Sequence, residues 1–296
     1  MFLNKEFLAF FEKSKEQKLD IVVASVTQTL GSTYAKAGNM IVVNSNEKFI
    51  GVLGSPYLHK KILDESKGIF KNRDIRVFDF IPKDESSGHG SSKFFLQGFF
   101  YDDNYGALEE SLENYGKTLI RSTIDGSFSF CDKKFRAILK DENFYQTIEK
   151  PFSLLIFGSG AHVKPLISIA NLLGWKTTII DLSIKKGYVD EADELIELES
   201  LENILSIDLN SYNASVILSH SPKTDDTYLR TLINSNINYI GMMGNKKNMK
   251  RLTEFFSLQN DDRFYAPIGL DIGGNTHQSI ALSICAQIEA KKNGKI

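Results

Sequence analysis

The chain has 296 residues, 42% of them hydrophobic and 24% charged, with a formal net charge of −2. That length and composition suit two ordinary globular domains, each able to bury a core without disulfide staples. The near-neutral balance argues against a nucleic-acid surface or a polybasic membrane anchor, no apolar run is long enough to span a membrane, and two cysteines make no disulfide framework.

The first segment, MFLNKEFLAFFEKSKEQKLD, predicts an amphipathic helix with Phe7, Phe10 and Phe11 turned inward. Lys5 and Glu6 so early, with no small-residue cleavage site, argue against a signal peptide, and the cytoplasm is the expected compartment. Over residues 20–53, IVVASVTQ, NMIVVN and KFIGVLG predict short strands. A helix is expected over 57–69, ending at Gly68, then strands IRVFDFI and FFLQGFFY around a polar, mobile loop at 82–93. Residues 106–116 read as helix, KTLIRSTI and KFRAIL as strands. This half has an α+β pattern, with a boundary near residue 148.

Beyond it the pattern changes. FSLLIF is a continuous apolar run, as expected for a strand covered on both faces. A helix from Val163 to Leu173 follows, then KTTIID, DELIEL, ASVILS and NYIGMM as strands. Helices are expected near 222–235, 245–257 and 276–292. Strands alternating with helices predict a Rossmann-like, doubly wound parallel sheet over 149–296.

Gly158, Ser159 and Gly160 form the loop between the first strand and helix of this half. Glycine there lets the chain turn sharply and approach an anion at the helix N-terminus. The third glycine of the dinucleotide fingerprint is replaced by Val163, which weakens the helix-packing part of the motif and leaves the anion-binding part. Asp181 ends the second strand, where an acid that binds a ribose is expected. The same residues also suit a Rossmann-like scaffold whose loop is only a tight turn. His162, at the helix start, is expected as a neutral ring that caps the turn or touches a ligand. His220 closes ASVILSH at a carboxyl strand end, where such folds seat ligands. Gly241 and Gly244, in GMMG, allow close backbone approach at the next strand end, and the rigid link APIGLDIGG is expected to pack under the same cleft. A ligand here is a dinucleotide such as NAD(P), a mononucleotide, or another phosphate-bearing molecule.

LLIFGSGAHVKPLISIANLLGWKTTIID, the SH pair at 219–220, YIGMMGNKKNMKRL and APIGLDIGGNTHQSIALSICAQI occur in the order found in the XdhC/CoxI family, which the chain resembles over most of its length. VVASVTQTLGSTYAKAGNMIVV also resembles that family's opening strand–loop–strand. The resemblance implies an N-terminal α+β XdhC/CoxI domain over 1–148 and a C-terminal Rossmann domain over 149–296. It implies an accessory protein, not an enzyme, that binds molybdenum cofactor (molybdopterin), protects it during sulfuration and helps load it into a molybdenum hydroxylase. The partners it implies are the apoenzyme, a cysteine desulfurase and a second copy of the chain. Cofactor-binding positions implied in the first half include Lys36 and Gly54.

The chain departs from the family at one place. GVLGSPYLHK keeps Gly51 and Gly54, but Tyr57 stands at the family's cysteine and His59 at its glutamate. Tyrosine does not replace a soft thiolate. The preceding YAKAGNM keeps Lys36 and Gly38 and is less basic than the family pattern. Cys131 and Cys285 are read as buried structural residues, so neither restores the site. Three functions stay open: the accessory role, a non-enzymatic interaction protein that kept the fold and lost the site, and an NAD(P)-dependent oxidoreductase. Against the last stands the lack of a catalytic Tyr-Lys pair at helical spacing. No catalytic or metal-ligating residue is assigned.

Overall fold

The computed structural model describes residues 4–81, 90–219 and 221–296. The chain divides into two compact units, residues 1–150 and 151–296. Among the described residues no helix is long and apolar enough to cross a membrane, and no group of three His, Cys, Asp or Glu side chains is placed to hold a metal ion.

The first unit opens with helix α1 (Lys5–Glu16), capped by the Asn4 side chain, which accepts from the Glu6 N–H at 2.7 Å. Strand β1 (Ile21–Leu30) pairs antiparallel with β2 (Met40–Asn44) on one side and β5 (Ser91–Phe99) on the other. Two-residue β3 (Phe49–Ile50) and β4 (Ile75–Phe80) close the edges, giving the order β3-β2-β1-β5-β4. Residues 21–27 of β1 are buried on both faces, which explains their unbroken apolar run. Val22, Ala24 and Val26 pack on Leu58, Ile62 and Ile69 of helix α2 (Pro56–Asn72). Ile21 and Val23 face Phe11, Leu108 of helix α3 (Gly106–Glu113), and Leu119 of a second sheet. Phe7 and Phe10 are half-buried against that cluster.

The second sheet is antiparallel, in the order β7-β6-β9-β8, from β6 (Thr118–Ser122), β7 (Phe128–Cys131), β8 (Ile138–Lys140) and β9 (Asn143–Thr147). Of the expected strand KFRAIL only its last residues join β8, and β9 was not expected. These strands are short and largely exposed on one side, so their apolar periodicity is faint. Helix α2 does not end at Gly68. Ile69 is fully buried and holds one more turn on the sheet, and the chain leaves through Arg73 in the left-handed conformation (φ 57°). The expected polar loop falls at 82–89 largely outside the described residues.

The second unit is a six-stranded parallel sheet: β10 (Ser153–Phe157), β11 (Lys176–Asp181), β12 (Glu194–Glu197), β13 (Ala214–Ile217), β14 (Tyr239–Met242) and β15 (Phe264–Tyr265). Their spatial order, β12-β11-β10-β13-β14-β15, is the 3-2-1-4-5-6 order of the dinucleotide-binding fold. Helices α4 (Val163–Leu172) and α7 (His277–Lys292) cover one face with Leu166, Ile167, Ile284 and Ile288. Helices α5 (Pro222–Ile233) and α6 (Lys246–Phe255) cover the other with Tyr228, Leu229, Leu232 and Leu252. Apolar packing on both faces is why β10, β13 and β14 are mostly apolar runs. Val163 is completely buried in the first of these layers, so the position of the missing third glycine is filled by core packing. Cys285 is buried there too, with its thiol pushed up to about 12 by burial, whereas Cys131 is only half-buried, because β7 lies at a sheet edge.

Candidate functional site

Strand order reverses between β10 and β13 of the second unit, which places the ligand crevice of such a fold at their carboxyl ends. Gly158 leaves β10 there with φ +109°, and a side chain on it would meet the Leu218 carbonyl oxygen at 2.9 Å and Ser219 Cα at 3.1 Å. The two backbones approach so closely that only glycine fits. Ser159 is 1% exposed. Its hydroxyl donates to Asp181 Oδ2 at 2.7 Å and accepts from the Lys185 N–H at 3.0 Å. Asp181 Oδ1 accepts from the Leu182 N–H at 2.8 Å. Gly158, Ser159, Gly160 and Asp181 therefore meet at one end of the sheet.

His162 lies at the start of α4 beside Gly160, and its Nε2 donates to the Leu218 carbonyl at 3.1 Å. This bond ties the helix start to the end of β13, and a neutral ring suffices for it. His220 lies outside the described residues. Gly244 lines an open cavity of about 460 Å³ with Pro222, Asp225, Met243, Asn245 and Arg251, between the starts of α5 and α6. Gly241 differs from its expected part. It is buried within β14, and the room it leaves is filled by the Ile268 side chain. The link APIGLDIGG is held by its backbone: Ile268 N–H to the Met242 carbonyl at 3.1 Å, Gly269 N–H to Gln287 Oε1 at 2.8 Å.

In the first unit, Phe7, Tyr34, Met40 and Val52 line a cavity of about 510 Å³, with Asn4, Asn39, Gly38 and Gly51 supplying polar and backbone groups. That volume lies within the range of small-molecule sites. Gly51, at φ +103°, lies against the Met40 carbonyl, where any Cβ would collide. Lys36 is exposed on the loop that forms one wall, with its ammonium 3.5 Å from the Thr33 hydroxyl. Gly54 (φ +138°) precedes the start of α2. Tyr57 is 61% exposed and its ring lies 6.3 Å from that of Phe80.

Sequence reading gave His59 no part beyond a lost glutamate. Its Nε2 accepts from the Leu53 N–H at 3.1 Å, bracing the glycine turn that lines the cavity. An accepting nitrogen requires the neutral ring protonated at Nδ1. His59→Ala is expected to lower stability by about 1 kcal/mol, since it strands the Leu53 N–H, and His59→Glu to recover part of that by restoring an acceptor. Denaturant unfolding of the three proteins measures both.

Two family models match the chain, one in each unit. The XdhC Rossmann domain matches residues 154–288 and the XdhC and CoxI family matches residues 14–80. The chain belongs to the XdhC and CoxI family. It is similar to a probable xanthine dehydrogenase subunit of Bacillus subtilis (strain 168), 29% identical over 148 residues, 49% of this chain and 44% of that protein. It is also similar to the uncharacterized protein YqeB of Escherichia coli (strain K12), 21% identical over 95% of this chain and 45% of that one. The chain thus spans less than half the length of either relative. A crystal structure described as a xanthine dehydrogenase from Bacillus halodurans superposes with a TM-score of 0.80 at 20% identity, covering 98% of this chain and 96% of the other, which shows the shared fold.

Proposed function

We propose that the chain is an accessory protein in the maturation of a molybdenum hydroxylase of the xanthine dehydrogenase type, handling the molybdenum cofactor before its insertion. Family membership and the likeness to a protein named as a xanthine dehydrogenase subunit support the accessory role. The observation that carries the cofactor is the cavity of about 510 Å³, whose lining from Tyr34 to Val52 lies within the stretch that matches the XdhC and CoxI family, with Asn4 and Phe7 added from before it. Phe7 and Tyr34 offer ring faces to a pterin, Asn4 and Asn39 its hydrogen-bonding edge, and Lys36 a charge for its phosphate. The residues fit the organic part of the cofactor and not its metal. No cysteine lines the cavity, and Tyr57 brings no soft ligand. In the same proposal the second unit holds a nucleotide at Gly158–Gly160, supported by the strand order, the glycine turn and Asp181 beside it.

Helix-end and exposed charge contacts of this kind contribute only about 0.3–1 kcal/mol each, so wild type is expected to hold molybdenum cofactor weakly and salt-sensitively. Tyr57→Cys is expected to retain it at higher salt. Anaerobic titration with cofactor, read by calorimetry and native mass spectrometry, tests this. Failure of both proteins to bind at low salt would leave the second reading, an interaction protein without a cofactor site, which the Tyr57 and His59 replacements favour.

A further inference from the structure

The cavity of about 460 Å³ in the second unit has a size typical of small-molecule sites. It opens past the end of β14, between the starts of α5 and α6, and β13 separates that strand from β10 and the Gly158–Gly160 turn. A dinucleotide bound to such a fold places its pyrophosphate at the turn after β10, which leaves this cavity unassigned. The α6 wall is built around Arg251. Its guanidinium donates to Asp226 Oδ1 at 2.7 Å and Oδ2 at 3.1 Å, tying α6 to α5. Its Nε and Nη2 also donate to Asn248 Oδ1, at 3.0 and 2.9 Å. Asn245 Oδ1 accepts the Asn248 N–H at 2.9 Å. These bonds hold both amides through their oxygens, and their –NH₂ groups have no partner among the described residues. A guanidinium has five N–H donors, so Arg251 keeps one as well. Lys247 is exposed and makes no ion pair among the described residues, whereas Lys250 lies 3.8 Å from Glu254.

We propose that this cavity is a second ligand site of the chain, taking a small phosphate monoester with its phosphate on Lys247, Arg251 and the amides of Asn245 and Asn248. The inference is independent of the nucleotide at Gly158–Gly160. The wall offers donors of two kinds, charged and amide, and no acceptor that the chain has not already engaged at Asn248. A carboxylate brings two oxygens to such a wall. A phosphate monoester brings three acceptor oxygens and more than one negative charge, which uses the donors more fully. Asp226 offsets part of the Arg251 charge, and Lys247 supplies one that no carboxylate offsets. On the opposite, buried side of the cavity lies Asp225, 3% exposed, with Oδ1 accepting the Ser219 hydroxyl. Its charge keeps the phosphate on the α6 side and favours a ligand body that carries hydroxyl or amino groups. Pro222 and Met243 give that body apolar contact. Arg251 acts through its bonds as much as its charge, since it fixes the Asn248 amide and the spacing of α5 and α6.

Nuclear magnetic resonance titration of the full chain with inorganic phosphate and with glycerol 3-phosphate, against sodium chloride of equal ionic strength, reads the site directly. The Asn245 and Asn248 side-chain amide signals are expected to move and saturate with both phosphates, at a dissociation constant of about 1 mM for inorganic phosphate, and not with chloride. Glycerol 3-phosphate, whose hydroxyls reach toward Asp225, is expected to bind a few fold more tightly, by about threefold. Lys247→Ala is expected to weaken both by about fivefold, and Arg251→Met by about tenfold. Lys247 is exposed, so its variant serves if Arg251→Met does not fold, with thermal unfolding as the check on each. Movement of the same signals with chloride alone, or no saturation by about 50 mM phosphate, would overturn the site. Saturation read only at Ser159 and Gly160 would move the phosphate to the glycine turn and overturn it too. Affinities that both variants leave unchanged would overturn the assignment to Lys247 and Arg251.

Discussion

Gly158→Ala is expected to destabilise the chain by about 3 kcal/mol and to abolish nucleotide binding. Two costs combine. The position holds φ +109°, a region that side-chain-bearing residues avoid, and the added methyl would press on the Leu218 carbonyl oxygen at 2.9 Å and carbon at 3.0 Å. These are backbone atoms at the end of a central strand, so they cannot swing aside as a flexible side chain does. Relief comes only by parting the ends of β10 and β13, where the ligand crevice of the fold lies. Gly160→Ala is the informative contrast. Its methyl would meet the His162 ring at 2.8 Å, a side chain that can turn. Chemical denaturation and nucleotide titration of both variants are expected to show a large loss in both readouts for Gly158→Ala and a smaller stability loss for Gly160→Ala. A Gly158→Ala protein as stable as wild type would show that the β10 and β13 ends part at little cost.

A second large effect is expected at Arg121, which is completely buried between the two sheets of the first unit. Its guanidinium donates to Ser25 Oγ at 3.0 Å and, at 3.5 Å, to Gln97 Oε1, while Phe95 and Phe144 lie at 5.2 and 5.5 Å from it. Its Nε has no partner, and no carboxylate pairs with it among the described residues. Burial alone pushes its pKa down to about 10. That lowering corresponds to about 3 kcal/mol against keeping the charge inside. Arg121→Met removes this cost, keeps most of the packing volume, and gives up hydrogen bonds worth about 1–3 kcal/mol. The methionine variant is therefore expected to match wild type or slightly exceed it. Arg121→Ala is expected to fall about 2–4 kcal/mol below the methionine variant, because it leaves a hole between two aromatic rings. The gap between wild type and Arg121→Met should stay flat between about pH 6 and 9, where both folded and unfolded Arg121 carry the proton. As pH rises through the folded pKa, the folded arginine sheds its proton before the unfolded one, so wild type should gain on the variant. Urea unfolding at several pH values measures all three. If Arg121→Met is as damaging as Arg121→Ala, the guanidinium has a bonding partner worth more than its burial costs.

Much of the second unit was legible along the chain. Strands buried on both faces have few polar positions to confuse the pattern, so FSLLIF, ASVILS and NYIGMM stood out as β10, β13 and β14. Gly158, Gly160 and Asp181 followed from spacing, because a strand, turn, helix and strand of fixed lengths bring the end of one strand beside the end of the next. The family resemblance directed attention to residues 51–59 of the first unit, where it implies a cysteine and the chain has Tyr57.

Tertiary structure decided the rest, and in each case the deciding contact joins residues far apart in the chain. From sequence Ser159 reads as a ligand contact between two glycines, until folding brings Asp181, 22 residues later, to its hydroxyl. Arg121 reads as an ordinary strand residue, since charged side chains usually face water. Only the packing of a second sheet on the first encloses it beside Ser25 and Gln97. Gly241 looked like a ligand contact because glycines at strand ends often are, and the side chain that fills its space, Ile268, comes from a later loop. Local sequence reports backbone preference and apolar periodicity, which fix where strands and turns form. Which polar group ends up facing which depends on how those elements stack, and that is set by the whole core at once.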